Sequence, residues 1–176
     1  CHEVGFYSHD RFLLNHLTQF IGTALKAKHA AIVIATESHR NSLLLSLQGY
    51  GVDAGAEIER GRCILLDAAE TLSAVMVNGM LDEARFLTSL ADLIGMGSKA
   101  AEEEHAPVAV YGECVQLLWA QENIEAVIQL EKAGNELIKT HNADILCGYS
   151  PGIREGGMDR QTSLRICAEH SAVHQW

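Results

Sequence analysis

Two hydrophobic periods alternate along the chain. Leu13, Leu14, Leu17, Phe20, Ile21, Ala24 and Leu25 recur at three- and four-residue spacing, which predicts an amphipathic helix over Arg11–Lys28. Ala30–Ala35 is then continuously apolar, the pattern of a strand buried on both faces. The order repeats. Thr36–Gln48 is helical, with Leu43, Leu44 and Leu47 inward, and Gly49-Tyr50-Gly51 ends it. Cys63–Leu66 is a strand. Asp67 to Glu70 has capping-box spacing and opens a helix that Gly79 breaks. Asp82–Ala101 is a longer helix. Pro107 opens the strand Val108–Tyr111, and Val115–Trp119 reads as the first turns of the next helix. Asn123 caps a helix carrying Ile124, Val127, Ile128, Leu130, Leu137 and Ile138. Ile145–Cys147 is the last clear strand, Ser150–Gly157 a loop with proline and three glycines, and Thr162–Val173 a final helix. His2–Tyr7 is weakly strand-like. Strands alternating with helices imply βαβ units: an α/β fold of three layers, a mainly parallel sheet flanked by helices.

Composition narrows the classes. At 176 residues and 48% hydrophobic, the chain can bury a substantial core as one domain. A formal net charge of −10 argues against a nucleic-acid surface. No apolar run reaches membrane-spanning length. Five irregularly spaced cysteines read as reduced thiols, so a cytoplasmic setting is expected. Cys1 in place of methionine reads as the start of a piece of a longer protein.

Parallel strands align their carboxyl ends, where ligands collect in open α/β sheets. That edge would carry Thr36, Glu37, Asp67, Glu113, Cys114, Cys147 and Tyr149. Three chemistries follow. Phosphate binding needs glycines, a lysine and Ser or Thr after the Ala30–Ala35 strand. Thr36-Glu37-Ser38-His39-Arg40 has no glycine or lysine, so triphosphate hydrolysis is not expected, although His39 and Arg40 leave room for an anion. Nucleophilic catalysis would use Cys114 at a helix N-terminus, but Glu113 opposes thiolate formation and no base is placed beside it. Metal binding would use Cys167, His170 and His174, spaced along one face of the final helix, but a solvated face is the blander reading and no metal is expected there. Glu113 could equally be a helix N-cap, Asp67 likewise, and Cys147 ordinary core.

His2-Glu-Val-Gly-Phe-Tyr7, Phe20-Ile-Gly-Thr-Ala-Leu25, Ala31–Thr36, Gly61-Arg62, Leu66-Asp67-Ala68, Tyr111-Gly112-Glu113, Leu117-Leu118-Trp119, Leu130-Glu131, Asn135-Glu136-Leu137 and Leu146–Pro151 follow one another in an order that resembles the MEDS (methanogen/methylotroph, DcmR sensory) domain over nearly the whole chain. The sequence departs from that pattern at Cys114, where methionine is usual, at Gly134, where tryptophan is common, and at Gly148, where alanine is usual. The resemblance implies a RecA/KaiC-like core without a phosphate-binding loop. It also implies an input module of histidine kinases and transcription regulators that senses small hydrocarbon derivatives. Residues 1–150 would be the sensory domain and 151–176 a loop and helix leading onward.

The expectation is therefore a non-catalytic cytoplasmic sensory domain. Glu113 is its polar anchor, Asp67 and Tyr149 are secondary contacts, and Phe6, Tyr7 and Trp119 are apolar walls, with Cys114, Cys147 and Thr36 alongside. Expected partners are a small-molecule ligand, a downstream signalling domain and a second copy of the chain. No cofactor is named, and neither nucleic acid nor membrane is expected. Two alternatives stay open: a thiol-redox or metal sensor, and a pure interaction or dimerisation module.

Overall fold

The computed structural model describes residues 1–149 and 160–175. Six strands form one parallel sheet: β1 (His2–Phe6), β2 (Ala31–Ala35), β3 (Cys63–Asp67), β6 (Val108–Gly112), β7 (Ala143–Tyr149) and β8 (Ala172–Gln175), in the order β3-β2-β6-β7-β1-β8. Between them run α1 (Asp10–Lys26), α2 (Glu37–Gly49), α3 (Ala54–Glu59), α4 (Ala68–Val75), α5 (Glu83–Ala100), α6 (Cys114–Ala120), α7 (Ile124–Thr140) and α8 (Arg160–Ala168). The four strands read from apolar runs are neighbours, as alternation of strand and helix requires.

The sheet has a core on each face, and strand parity decides which residue joins which. In β2, Ile32 and Ile34 point to one core, Ala31, Val33 and Ala35 to the other. The first core also takes Val4, Phe6, Val108, Val110, Ile145, Cys147 and Tyr149 and is covered by α4 to α8. The second takes Ala109, Tyr111, Leu146 and Tyr7 and is covered by α1 and α2 through Leu13, Leu17, Ile21, Leu25, Leu43 and Leu47. Both faces are buried, which is why the central strands read as unbroken apolar runs.

Several elements differ from the sequence pattern. The segment Thr162–Val173 is not one helix: α8 stops at Ala168 and β8 adds an edge strand parallel to β1. Hydrogen bonding to a waiting strand edge outweighs local helical spacing there. The short α3 was also not foreseen, nor was the hairpin of β4 (Met76–Val77) and β5 (Met80–Leu81). Asn78 and Gly79, at φ 51° and 77°, make its two-residue turn, a signal the sequence does carry. The expected loop Ser150–Gly157 lies outside the described residues, as does the boundary placed at 150.

Candidate functional site

The parallel register does align the carboxyl ends: Ala35 lies opposite Asp67, Gly112 opposite Cys147, and Phe6 opposite Tyr149. The residues there do not form one site. The pleat divides them between the two faces.

Towards α1 and α2, Glu113 is 2% exposed and fully engaged. Its Oε2 accepts from the Thr36 backbone N–H (2.9 Å). Its Oε1 accepts from His39 Nδ1 (2.5 Å) and from the Tyr111 hydroxyl (2.9 Å). Glu113 sits at the N-cap position of α6 but its side chain caps nothing there. It crosses instead to the N-terminus of α2, where a phosphate would sit in a phosphate-binding fold. The bond to Glu113 raises the His39 pKa above its ordinary value, against the opposing effect of burial. Arg40 is likewise taken up: it donates to Ala35 O (2.5 Å), Leu66 O (3.2 Å) and Asp67 Oδ2 (2.8 Å). Asp67 does cap α4, accepting from Ala69 and Glu70 N–H, and Arg40 lowers its pKa. The room that His39 and Arg40 left for an anion is therefore taken by the chain's own carboxylates, Glu113 and Asp67.

Towards α7 a second cluster forms that the sequence reading did not find. Glu131, 0% exposed, lies mid-helix in α7. Its Oε1 accepts from the Tyr149 hydroxyl (2.5 Å) and its Oε2 from the Cys147 thiol (3.2 Å). Two imidazoles approach the same Oε2: His2 Nε2 at 3.3 Å and His170 Nε2 at 3.1 Å. Burial alone would raise the Glu131 pKa, but contact with His170, His2 and Tyr149 holds it down to about 2. For His170 burial lowers the pKa, and contact with Glu131 overcomes this and raises it. Glu131 was legible in principle, since it follows Val127 by four and Ile128 by three on the buried stripe of α7. His2 shares the parity of Val4 and Phe6.

The remaining expected residues separate. Phe6 stacks on Tyr149 (centroids 5.3 Å apart) inside the α7-side core. Tyr7 is buried on the opposite side. Trp119 is half-buried on α6. Cys114 packs under α4, its thiol 3.6 Å from Ala68 O, and burial pushes its pKa up to about 12. Burial and Glu131 push Cys147 well above the ordinary thiol range. Neither is a thiolate at neutral pH, so neither is poised as a nucleophile. Cys167, His170 and His174 do not share a face. His170 turns inward to Glu131, His174 Nε2 meets Glu3 Oε2 from β8 (2.8 Å), and Cys167 packs against the α7-side core.

Between the sheet and α5, α6 and α7 is a small cavity of about 30 Å³. Ile34, Phe86, Leu90, Val110, Val115, Leu130 and Ile145 form most of its wall, and Gly112, Gly134, Cys114, His2 and Cys147 complete it. A β-carbon built on Gly112 would meet nothing within 4 Å.

A six-stranded parallel sheet flanked by helices, with a helix N-terminus closed by an internal carboxylate and a small, mainly apolar chamber on the opposite face, defines a three-layer α/β domain. The family model described as "MEthanogen/methylotroph, DcmR Sensory domain" matches residues 1–173, and the chain belongs to this MEDS family. No curated protein matches the chain. Among the described residues no helix is long and apolar enough to cross a membrane.

Proposed function

We propose that the chain is a non-catalytic cytoplasmic sensory domain that binds an apolar molecule of two or three heavy atoms in the chamber under α5, α6 and α7, and relays its presence to a downstream signalling domain. The chamber carries this reading. Its volume of about 30 Å³ holds roughly two water-sized groups, and its apolar wall offers water too few partners. That matches a one- or two-carbon hydrocarbon derivative in size and polarity. The non-catalytic part is supported by Glu113 and His39, which fill the helix N-terminus where a phosphate would bind. At the Glu113 crevice Glu113, His39, Arg40 and Asp67 are engaged with the chain itself, which favours placing the proposed ligand on the apolar face instead.

The test is methyl NMR of the purified chain with xenon and with one- and two-carbon alcohols and halides. Shifts confined to Ile34, Leu90, Val110, Val115, Leu130 and Ile145, and abolished in Gly112→Val, support the proposal. Absence of shifts at millimolar probe, or shifts that persist in Gly112→Val, overturns it. The β-carbon of Gly112→Val meets nothing within 4 Å, so the variant should fold.

A further inference from the structure

We propose that His2, Glu131, Cys147 and His170 form a buried binding site for a divalent transition-metal cation, with zinc the best match. The inference does not depend on the sensory reading. The four residues come from β1, α7, β7 and the turn before β8. Their ligand atoms all lie within 4.8 Å of one another. Four of the separations are 3.3 Å (His2 Nε2 to Glu131 Oε2), 3.4 Å (His2 Nε2 to Cys147 Sγ), 3.2 Å (Cys147 Sγ to Glu131 Oε2) and 3.1 Å (His170 Nε2 to Glu131 Oε2). Zinc bonds of about 2.0–2.3 Å at tetrahedral angles separate ligand atoms by roughly 3.3–3.8 Å, so small shifts would admit the ion.

The outer contacts orient both imidazoles as ligands. Asn135 Nδ2 donates to Glu169 O (2.7 Å) and Glu169 Oε2 (3.1 Å), which turns Asn135 Oδ1 towards His2. That oxygen can only accept, so His2 Nδ1 (3.0 Å away) carries the hydrogen. His170 Nδ1 donates to Ile166 O (2.7 Å) by the same logic. When neutral, as a metal ligand must be, each ring then presents an Nε2 lone pair towards Glu131 Oε2. A carbonyl oxygen holding the far N–H is the usual support of a metal-bound histidine.

Without a cation the cluster is short of positive charge or hydrogen. Two lone pairs and a carboxylate oxygen converge, and the Cys147 thiol supplies a single hydrogen. His170 Nε2, although 3.1 Å from Oε2, makes no aligned hydrogen bond. Protonating both rings would place two cations 4.2 Å apart, centroid to centroid, beside one carboxylate. A divalent cation resolves both problems. Cys147 gives up its thiol proton to solvent, thiolate and carboxylate neutralise the cation, and both Nε2 lone pairs are used. The donor set of two imidazoles, thiolate and carboxylate suits zinc. Gly134 contributes by absence: a β-carbon there would approach His2 Cε1 to 2.9 Å, so glycine makes room for the ring.

The experiment is titration of the purified, chelator-stripped chain with zinc and with cobalt. The expected result is one zinc per chain with proton release, a melting temperature that rises with free zinc, and thiolate-to-cobalt charge-transfer absorption. Cys147→Ser should remove the charge-transfer band, whereas Cys63→Ser and Cys167→Ser should keep it. Should Cys147→Ser fail to fold, His170→Ala carries the same test with at least a hundredfold weaker zinc binding. Asn135→Ala, which frees His2 Nδ1 without removing a ligand, should weaken zinc about ten- to a hundredfold. Substoichiometric zinc, cobalt bound without the thiolate band, or a band that survives Cys147→Ser would each overturn the proposal.

Discussion

The Tyr111 hydroxyl occupies the space that a β-carbon on Gly148 would need, and from there it donates to Glu113 Oε1 (2.9 Å). The two residues lie on adjacent strands, β6 and β7, and the absent side chain of one makes room for the other.

Gly148→Ala should therefore destabilise the chain by about 1–3 kcal/mol, the cost of overpacking a filled core. In a Tyr111→Phe background the same change should cost clearly less, because the hydroxyl is the closest atom met. Urea denaturation of the four proteins in this double-mutant cycle measures the coupling. Equal cost in both backgrounds would refute the packing relationship.

Glu113→Gln should cost about 1.5–3 kcal/mol, the range for hydrogen bonds to a charged group. The carboxylate accepts from three donors, and an amide nitrogen must face at least one of them. A change below 0.5 kcal/mol in denaturant unfolding, close to what a helix-capping acid contributes, would restore the capping reading.

Stability should depend on pH at both ends of the range, measured as the urea midpoint with chelator present. The folded pKa of His39 is raised, so its contribution is complete below the ordinary value of 6.5 and is lost as pH climbs through the raised value. Glu113 and Tyr111 face it, and Asp10 Oδ2 lies 4.0 Å from its Nε2. His170 follows the same direction, so His39→Gln should remove part of the alkaline slope and leave the rest. The Glu131 pKa is lowered from 4.5 to about 2, so its contribution is present above 4.5 and is lost as pH falls towards 2. A profile flat from pH 6 to pH 9 in the wild type would count against both histidine pairs.

The strand segments and most helices were legible because the signals are local. Ala31–Ala35 is apolar at every position since both sheet faces are buried, and Asp67 caps α4 at the spacing its sequence shows. The lack of glycine and lysine after β2 is likewise legible from residue types alone. The division of the carboxyl edge was not. Parity along a strand is readable, but the core each parity faces depends on how the strands are stacked. Tyr111, on one strand, and Cys147 and Tyr149, on its neighbour, point to opposite faces.

What the sequence determined by itself is the alternation of elements and the parallel sheet, since each rests on spacing within some twenty residues. Tertiary structure alone decided that His2, Glu131, Cys147 and His170 meet, and that Glu113 serves α2 rather than α6. β1 enters the sheet between β7 and β8, which brings the first residues of the chain beside the last strands. The physical reason is that contacts between residues 2, 131, 147 and 170 are set by strand order and crossovers, to which no local propensity or period along the chain responds.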